Sequence, residues 1–233
     1  MKRNLLLSAA LITLAAFSNS CASNEIGESK DVNQDKIYMN YSISHEEGNE
    51  NVNVYCTFRF GGENGTTLVL SDGSSVELDG QRLKADSSAG SGAYYKVEKP
   101  VSSFYGKHTL RFTNTSGRQY DNEFSFSPFS LANGYAEASK NKDLAVSYLA
   151  PGLTKMDYAE VSSSDTDSSF TYSQDGPQTS VVIPAKELKR QKGKSFSLEC
   201  KLYREADLQQ TTAEGGRISI RQELKPVRIK LLD

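Results

Sequence analysis

Apolar and polar residues alternate along much of this chain. The clearest run covers residues 52–60, where every even position is apolar and Asn53, Thr57 and Arg59 lie in the other phase. Residues 37–43 alternate in the same way. A period of two is typical of a strand that turns one face to a core and the other to solvent. The pattern therefore predicts antiparallel strands.

Turn signals divide these strands into two series. Asp72-Gly73 and Asp79-Gly80 are examples in the first series, and turns that recur about every 8–12 residues are typical of all-β sandwiches. We predict an all-β fold of two tandem immunoglobulin-like or fibronectin-like antiparallel β-sandwiches, over residues 37–127 and 144–233. A connector over residues 128–143 joins them. Each unit is close to the size of an immunoglobulin-like domain, about 100 residues.

Helices play a small part in this prediction. Residues 185–191 form one credible helical turn that ends near Gly193, and residues 136–140 of the connector suit a second short helix. A long amphipathic helix would need apolar residues at a period of 3.6 over many turns, and that pattern is missing. The chain is therefore expected to build its core from strands.

The first 36 residues follow a different pattern. Lys2 and Arg3 precede an apolar run over residues 5–17, and a short polar stretch then leads to Cys21. A membrane-spanning helix needs roughly 20 apolar residues, whereas the apolar region of a signal peptide has roughly 7–15. We predict a signal peptide over residues 1–20. The polar, acidic residues 21–36 are predicted to form a flexible tether.

This layout resembles the lipoprotein signal of Bacteroidota-type bacteria. Ser20 fits the position before the cysteine, while Ser18 stands where Leu is usual, which resembles the relaxed motif of that group. Together with the strand pattern, the chain resembles bacterial lipoproteins with tandem immunoglobulin-like domains. The resemblance implies lipidation of Cys21 and a lipid-anchored place in the outer membrane, on its periplasmic or surface face. Ordinary cleavage after Ser20, which gives a soluble secreted protein, remains the alternative.

The two other cysteines lie in strands. Cys56 shares the phase of the apolar positions in residues 52–60, and Cys200 shares that of the apolar positions in residues 196–202. Both are therefore expected to face cores, in different predicted domains. Free cysteine behaves as a small, buried apolar residue. We predict two free, buried thiols and no disulfide.

Charge and motifs exclude several functions. The full chain has 27 Lys and Arg against 29 Asp and Glu, and loss of Lys2 and Arg3 leaves 25 cations against 29 acids, a net charge of −4. Nucleic-acid binding would need a basic patch. His45 and His108 are the only histidines, and neither stands in a zinc-binding motif. The sequence predicts no enzyme and no cofactor, and a small hydrolase with paired carboxylates is a minor alternative.

Two groups of residues are candidate binding sites. The aromatic pairs Tyr94-Tyr95 and Phe104-Tyr105 flank a loop and a corner, and alternation places one ring of each pair outside the core. Exposed tyrosine binds well because its ring is rigid and amphipathic. Asp165 and Asp167 could supply oxygen ligands to Ca²⁺.

The function predicted from the sequence is non-enzymatic. It consists of adhesion, ligand binding or scaffolding of an envelope assembly. The partners are the membrane, through the N-terminal lipid, and envelope proteins or glycans. A loop-mediated carbohydrate or Ca²⁺-binding module is the alternative, since this fold hosts many unrelated functions.

Overall fold

The fold is all-β, as the alternation predicts. The computed structural model describes residues 26–88, 92–165 and 168–233. Most strand pairs in its several sheets are antiparallel, consistent with β-sandwiches. The predicted signal peptide and Cys21 lie outside the described residues. In the part of the chain that is described, no helix is long and apolar enough to cross a membrane.

Among the described residues, ten strands precede residue 127. They are β1 (Ile26–Glu28), β2 (Ile37–Glu46), β3 (Asn51–Phe60), β4 (Thr66–Val69), β5 (Ser75–Leu78), β6 (Gln81–Arg82), β7 (Ala85–Ser88), β8 (Gly92–Pro100), β9 (Gly106–Thr113) and β10 (Gln119–Phe126). Three single-turn 3-10 helices accompany them, over Ser29–Asp31, Gln34–Lys36 and Val101–Ser103.

Nine further strands and a short helix follow in residues 128–165 and 168–233. They are β11 (Ser130–Leu131), β12 (Glu137–Ser139), β13 (Leu144–Leu149), β14 (Tyr158–Ser163), β15 (Phe170–Asp175), β16 (Ser180–Ile183), α1 (Ala185–Arg190), β17 (Ser195–Asp207), β18 (Gly216–Glu223) and β19 (Val227–Leu232). The helix α1 confirms the predicted helical turn. The short helix predicted over residues 136–140 was wrong, because β12 pairs there in parallel with β19.

One large sheet runs through both halves of the chain. Its strand order is β1-β4-β3-β2-β18-β17-β14-β15, with β8 and β7 added beside β3 and with β19 and β12 added beside β17. Two smaller sheets are separate from it, β10-β9-β5-β6 in the first half and β11-β13-β16 in the second. The result is two sandwiches that share one sheet.

Two apolar cores fill these sandwiches. The first core contains Tyr41, Phe58 and Phe112, each fully buried. The second contains Phe196, Leu198 and other side chains from between Ala138 and Leu231. Burial of such side chains is the main favourable term in folding, at roughly 1.5–3 kcal/mol each.

The β17–β18 hairpin connects the two cores. Strand β18 pairs in parallel with β2 over eight positions, from Gly216–Met39 to Glu223–Glu46. Ile218 and Ile220 of this strand lie in the first core, although the sequence places them in the second predicted domain. Division of the chain at residues 127 and 144 stays a prediction, and in space the hairpin crosses that division.

The tip of the same hairpin is fixed to the first sandwich. Thr212 donates a hydrogen bond of 2.7 Å from its Oγ1 to the carbonyl of Ile37. The side chain of Asn122 donates to the carbonyl of Gln210 at 2.9 Å and accepts from its amide at 3.0 Å. Because buried polar groups need such partners, these contacts define where the tip packs.

The structure differs from the prediction for the tether. Residues 26–36 pack against the first sandwich, where β1 pairs in parallel with β4. Ser29 is fully buried, and its Oγ lies 2.6 Å from that of Ser74 and accepts from the amide of Ser71 at 2.9 Å. Polar composition predicted a solvated segment, but these long-range hydrogen bonds satisfy its polar groups inside the fold.

Candidate ligand-binding face

The predicted aromatic pairs divide between core and surface, as the alternation requires. Tyr95 is 4% exposed, and its hydroxyl accepts a hydrogen bond of 2.7 Å from the amide of Leu70. Phe104 is 2% exposed and stacks on His108 at a centroid distance of 3.9 Å. These two rings therefore belong to the core. Tyr94 and Tyr105 are the members of the set whose side chains a ligand can reach.

The two reachable rings are not neighbours. Tyr94 lies on β8, where its hydroxyl donates to Asp86 at 3.2 Å. Tyr105 lies at the opposite end of the first sandwich, 48% exposed, and stacks on Phe126 at 5.7 Å. The structure thus does not bring the four predicted residues into one site.

The pair proposed for Ca²⁺ is only partly visible. Asp167 lies outside the described residues. Asp165 is described, and its Oδ2 accepts from the amide of Ser197 at 3.3 Å. Within residues 26–88, 92–165 and 168–233, no group of three or more His, Cys, Asp or Glu side chains is arranged to hold a metal ion.

His108 has a structural environment. Its Nδ1 lies 2.8 Å from the carboxylate of Asp79, and its Nε2 lies 2.7 Å from the carbonyl of Phe104. Asp79 also accepts from the amide of Thr109 at 2.8 Å. With both ring nitrogens engaged inside the fold, His108 holds the corner before β9 in place.

Both cysteines of the folded region are buried with free thiols. Burial raises the pKa of Cys200 to about 12 and raises that of Cys56 further. The thiolate is the reactive form of cysteine. At neutral pH these thiols are therefore protonated, enclosed and poor nucleophiles.

We expect Cys56 and Cys200 to resist a thiol reagent such as DTNB in the native protein. The test uses a Cys21→Ser chain, so that only these two thiols remain, and the reaction is followed by absorbance before and after unfolding in guanidinium. The control is Thr57→Cys, beside Cys56 but on the opposite face of β3, which should react at once. Rapid native reaction of the parent chain would contradict the described burial.

The large sheet has a second face, opposite both cores, which we call the outer face. It carries side chains from β2, β3, β8, β18, β17 and β14. Its half-buried tyrosines are Tyr38, Tyr55, Tyr94, Tyr158 and Tyr203. Each stands in the strand phase opposite the apolar core positions, so each ring is held by the sheet rather than by a loop.

The tyrosines form two groups on this face. In the first group, Tyr55 and Tyr94 have centroids 5.7 Å apart, and the ammonium of Lys96 lies 5.4 Å from the Tyr55 centroid. In the second group, Tyr158 stacks on Tyr203 at 4.6 Å. The guanidinium of Arg221 completes the second group, at 5.9 Å from the Tyr203 centroid. Rings flanked by cations offer both apolar and polar contacts to a ligand.

The register of the sheet fixes the distance between the groups. Tyr203 pairs with Arg221, Arg221 with Ser44, and Ser44 with Asn53, two residues from Tyr55. Three strand spacings of about 4.8 Å and two residues of about 3.3 Å give a separation of about 16 Å. Only a ligand of several monomer units can contact both groups.

The hydroxyl groups of Tyr158 and Tyr94 on this face stay protonated at neutral pH. Burial, followed by the neighbouring Tyr203, raises the pKa of Tyr158. Burial and the hydrogen bond to Asp86 raise the pKa of Tyr94. A protonated phenol both donates and accepts hydrogen bonds, which suits a ligand rich in hydroxyl groups.

Comparison with known proteins gives a limited result. No protein-family model and no curated protein sequence matches this chain. A similar solved structure is SGBP-B of the mixed-linkage glucan utilization locus of Bacteroides ovatus, in complex with a mixed-linkage heptasaccharide. The match covers 88% of this chain and 66% of that chain, at 12% identity and a TM-score of 0.23. At this level the match carries no argument about function.

A groove on the inner side of the sheet is the other candidate site. Arg204 lies in it and donates to the carbonyl of Pro151 at 2.9 Å, while burial lowers its pKa. Glu123, Asp157 and Glu205 line the same groove. These carboxylates would repel the anionic ligand that the arginine would attract. The outer face is therefore the better candidate.

The strand phase could have identified part of this face in advance. In residues 52–60, Tyr55 alternates with apolar positions, as does Tyr203 in residues 196–203. Sequence reasoning instead favoured aromatic residues next to loops. It missed that one sheet places these two tyrosines on the same surface, because that depends on the pairing of β18 with β2.

Proposed function

We propose that this protein is a non-enzymatic lipoprotein of the bacterial cell envelope that binds an extended, hydroxyl-rich polymer, a glycan, on its outer face. The observation that carries the proposal is the pair of tyrosine groups on one rigid sheet, about 16 Å apart by strand geometry. Tyrosine hydroxyl groups, with Lys96 and Arg221 beside the rings, complement a polyhydroxylated chain. The signal sequence and Cys21 support the envelope location and the lipid anchor.

The amphipathic chemistry of the face favours a glycan over an apolar ligand. Its tyrosine rings alternate with charged or polar side chains such as Lys96, Arg217 and Glu205. An apolar ligand would have to remove these side chains from water without offering them hydrogen-bond partners, which costs free energy even where they are ion-paired, as Lys96 is with Glu98 and Arg217 with Glu63. A glycan exchanges water for hydroxyl contacts while its apolar C–H surface packs on the rings.

We expect Tyr55→Ala and Tyr203→Ala each to weaken glycan binding about tenfold, or about 1.4 kcal/mol, as the loss of a central aromatic contact would. The measurement is affinity electrophoresis against soluble neutral and uronic-acid polysaccharides, followed by calorimetric titration with the polymer that retards the protein. The corresponding Tyr→Phe variants separate the contribution of the hydroxyl from that of the ring.

Tyr105→Ala is the matched control, because this ring is exposed but lies away from both tyrosine groups. It should bind as the parent protein does. If Tyr105→Ala is no longer retarded by the polysaccharide while Tyr55→Ala still is, the outer-face site is contradicted. The binding site would then lie at the corner before β9. If none of the polysaccharides retards the parent protein, the proposal that its ligand is a glycan is contradicted.

A further inference from the structure

The strand directions place Ile26, the first described residue, at one end of the molecule. Strand β1 begins at Ile26, which pairs with Thr67, and Thr67 pairs in turn with Arg59 near the end of β3. The turn over residues 61–65 follows immediately. The tip of the β17–β18 hairpin lies at the same end, since the amide of Glu214 donates to the carbonyl of Asp35 at 3.1 Å. We call this the leading end.

The second sandwich lies towards the opposite end. Strand β17 runs antiparallel to β18 and extends from Ser195, in the second core region, to Asp207 beside the first sandwich. Its 13 residues span about 40 Å at 3.3 Å per residue. The two ends of β17 therefore lie beside different sandwiches, which places the second sandwich away from the leading end.

Only a few residues separate the leading end from Cys21. Five residue steps join Cys21 to Ile26, and an extended chain covers at most about 3.6 Å per step, or about 18 Å. Residues 26–36 of the segment predicted as a flexible tether instead pack on the first sandwich. A lipid on Cys21 would thus keep the leading end within about 18 Å of the cysteine.

The surface of the leading end suits contact with lipid headgroups. Ile26 and Phe60 are 42% and 39% exposed there. Lys36 lies 3.3 Å from Glu214, and Arg217 lies 2.7 Å from Glu63. Paired charges next to exposed apolar side chains can approach a headgroup layer without leaving an isolated charge.

The net charge of the protein favours an orientation in which the leading end faces the membrane. The chain from Cys21 onwards has 25 Lys and Arg against 29 Asp and Glu. Anionic lipids repel an acidic body within about a Debye length, roughly 8–10 Å at physiological salt. Lying flat would bring a long side of the acidic body close to that layer, whereas standing on the leading end brings in a smaller surface, which includes the ion pairs Lys36–Glu214 and Arg217–Glu63.

We infer that the leading end of the first sandwich rests on the lipid headgroup surface, while the second sandwich projects away from the membrane. This inference rests on the proposed lipid anchor at Cys21. It assigns the partner of the leading end as a lipid surface and leaves the outer face, which runs along the molecule, open to glycans.

The test measures the height of two labels above a membrane. Lipidated protein carrying Asn64→Cys, in the turn at the leading end, or Ser169→Cys, near the far end, is reconstituted in vesicles of zwitterionic and anionic phospholipid. A fluorescent donor is attached to the new thiol, since Cys56 and Cys200 are buried. Energy transfer to an acceptor on the lipid headgroups should be several-fold greater from residue 64 than from residue 169.

Equal transfer from the two positions, or greater transfer from residue 169, would overturn the orientation. A long Gly/Ser insertion after Ser23 should reduce the difference, because it frees the leading end from the surface. Flotation of the same vesicles tests membrane anchoring separately from the orientation of the protein. If the labelled proteins do not float with vesicles and behave as the Cys21→Ser control does, the anchor fails and the orientation fails with it.

Discussion

Ile218→Ala is expected to destabilise the whole protein by about 2–5 kcal/mol, although residue 218 is far in sequence from the core that it enters. Ile218 is 1% exposed within the first core. Its truncation removes apolar contacts and leaves a cavity in packing that relaxes only partly. The free energy of unfolding is measured in urea by circular dichroism and tyrosine fluorescence.

The same experiment tests whether the hairpin couples the two cores. Strand β18 supplies Ile218 to the first core and continues from β17, whose Leu198 and Leu202 lie in the second. Both probes should therefore show one transition that shifts as a unit. The control is Ser219→Ala on the outer face of the same strand, expected within about 0.5 kcal/mol of the parent. An unshifted midpoint for Ile218→Ala would contradict the described contact.

Phe58→Ala is expected to have the second large effect, a loss of about 3–5 kcal/mol. The ring of Phe58 is fully buried, with the centroids of Phe112, Tyr95 and Tyr41 at 4.7, 5.9 and 6.2 Å. Aromatic pairs contribute beyond the area that they bury. The melting temperature from differential scanning calorimetry should fall sharply, and Phe58→Leu should fall between the parent and Phe58→Ala.

Tyr55→Ala provides the contrast on the same strand. Tyr55 faces the outer side, so its loss should change stability much less than the loss of Phe58 while reducing glycan binding. The opposite behaviour would contradict the fold. If Tyr55→Ala unfolds the protein and Phe58→Ala weakens only binding, the two faces of β3 are the reverse of those described.

The alternation of residues 52–60 predicted β3 well because its pattern is local. One face meets the core and the other meets solvent, so the period appears in the sequence itself. The same logic predicted that Tyr94-Tyr95 and Phe104-Tyr105 would each split between inside and outside. Residue type and strand phase were sufficient for these features.

The pairing of β18 with β2 could not be read in this way. Ile218 and Tyr41 are register partners across 177 positions of the chain, and both show only the alternation common to many strands here. Nothing local selects one partner strand over another. The shared sheet, and with it the alignment of Tyr55 and Tyr203 on one surface, depends on that selection.

The segment 26–36 shows the opposite limit of sequence reasoning. Its polar composition is typical of a flexible tether, yet Ser29 is buried through hydrogen bonds to residues more than 40 positions away. Composition measures how much apolar surface a segment can bury. It does not reveal polar partners that the rest of the fold supplies.

The central claim, a lipid-anchored protein of the cell envelope, is tested most directly by the intact mass of the mature protein extracted from the membranes of its own bacterium. We expect a chain that begins at Cys21 and carries a diacylglyceryl group on that cysteine. An unmodified chain that begins at Cys21, recovered from the soluble fraction, would contradict the anchor and the orientation at the membrane.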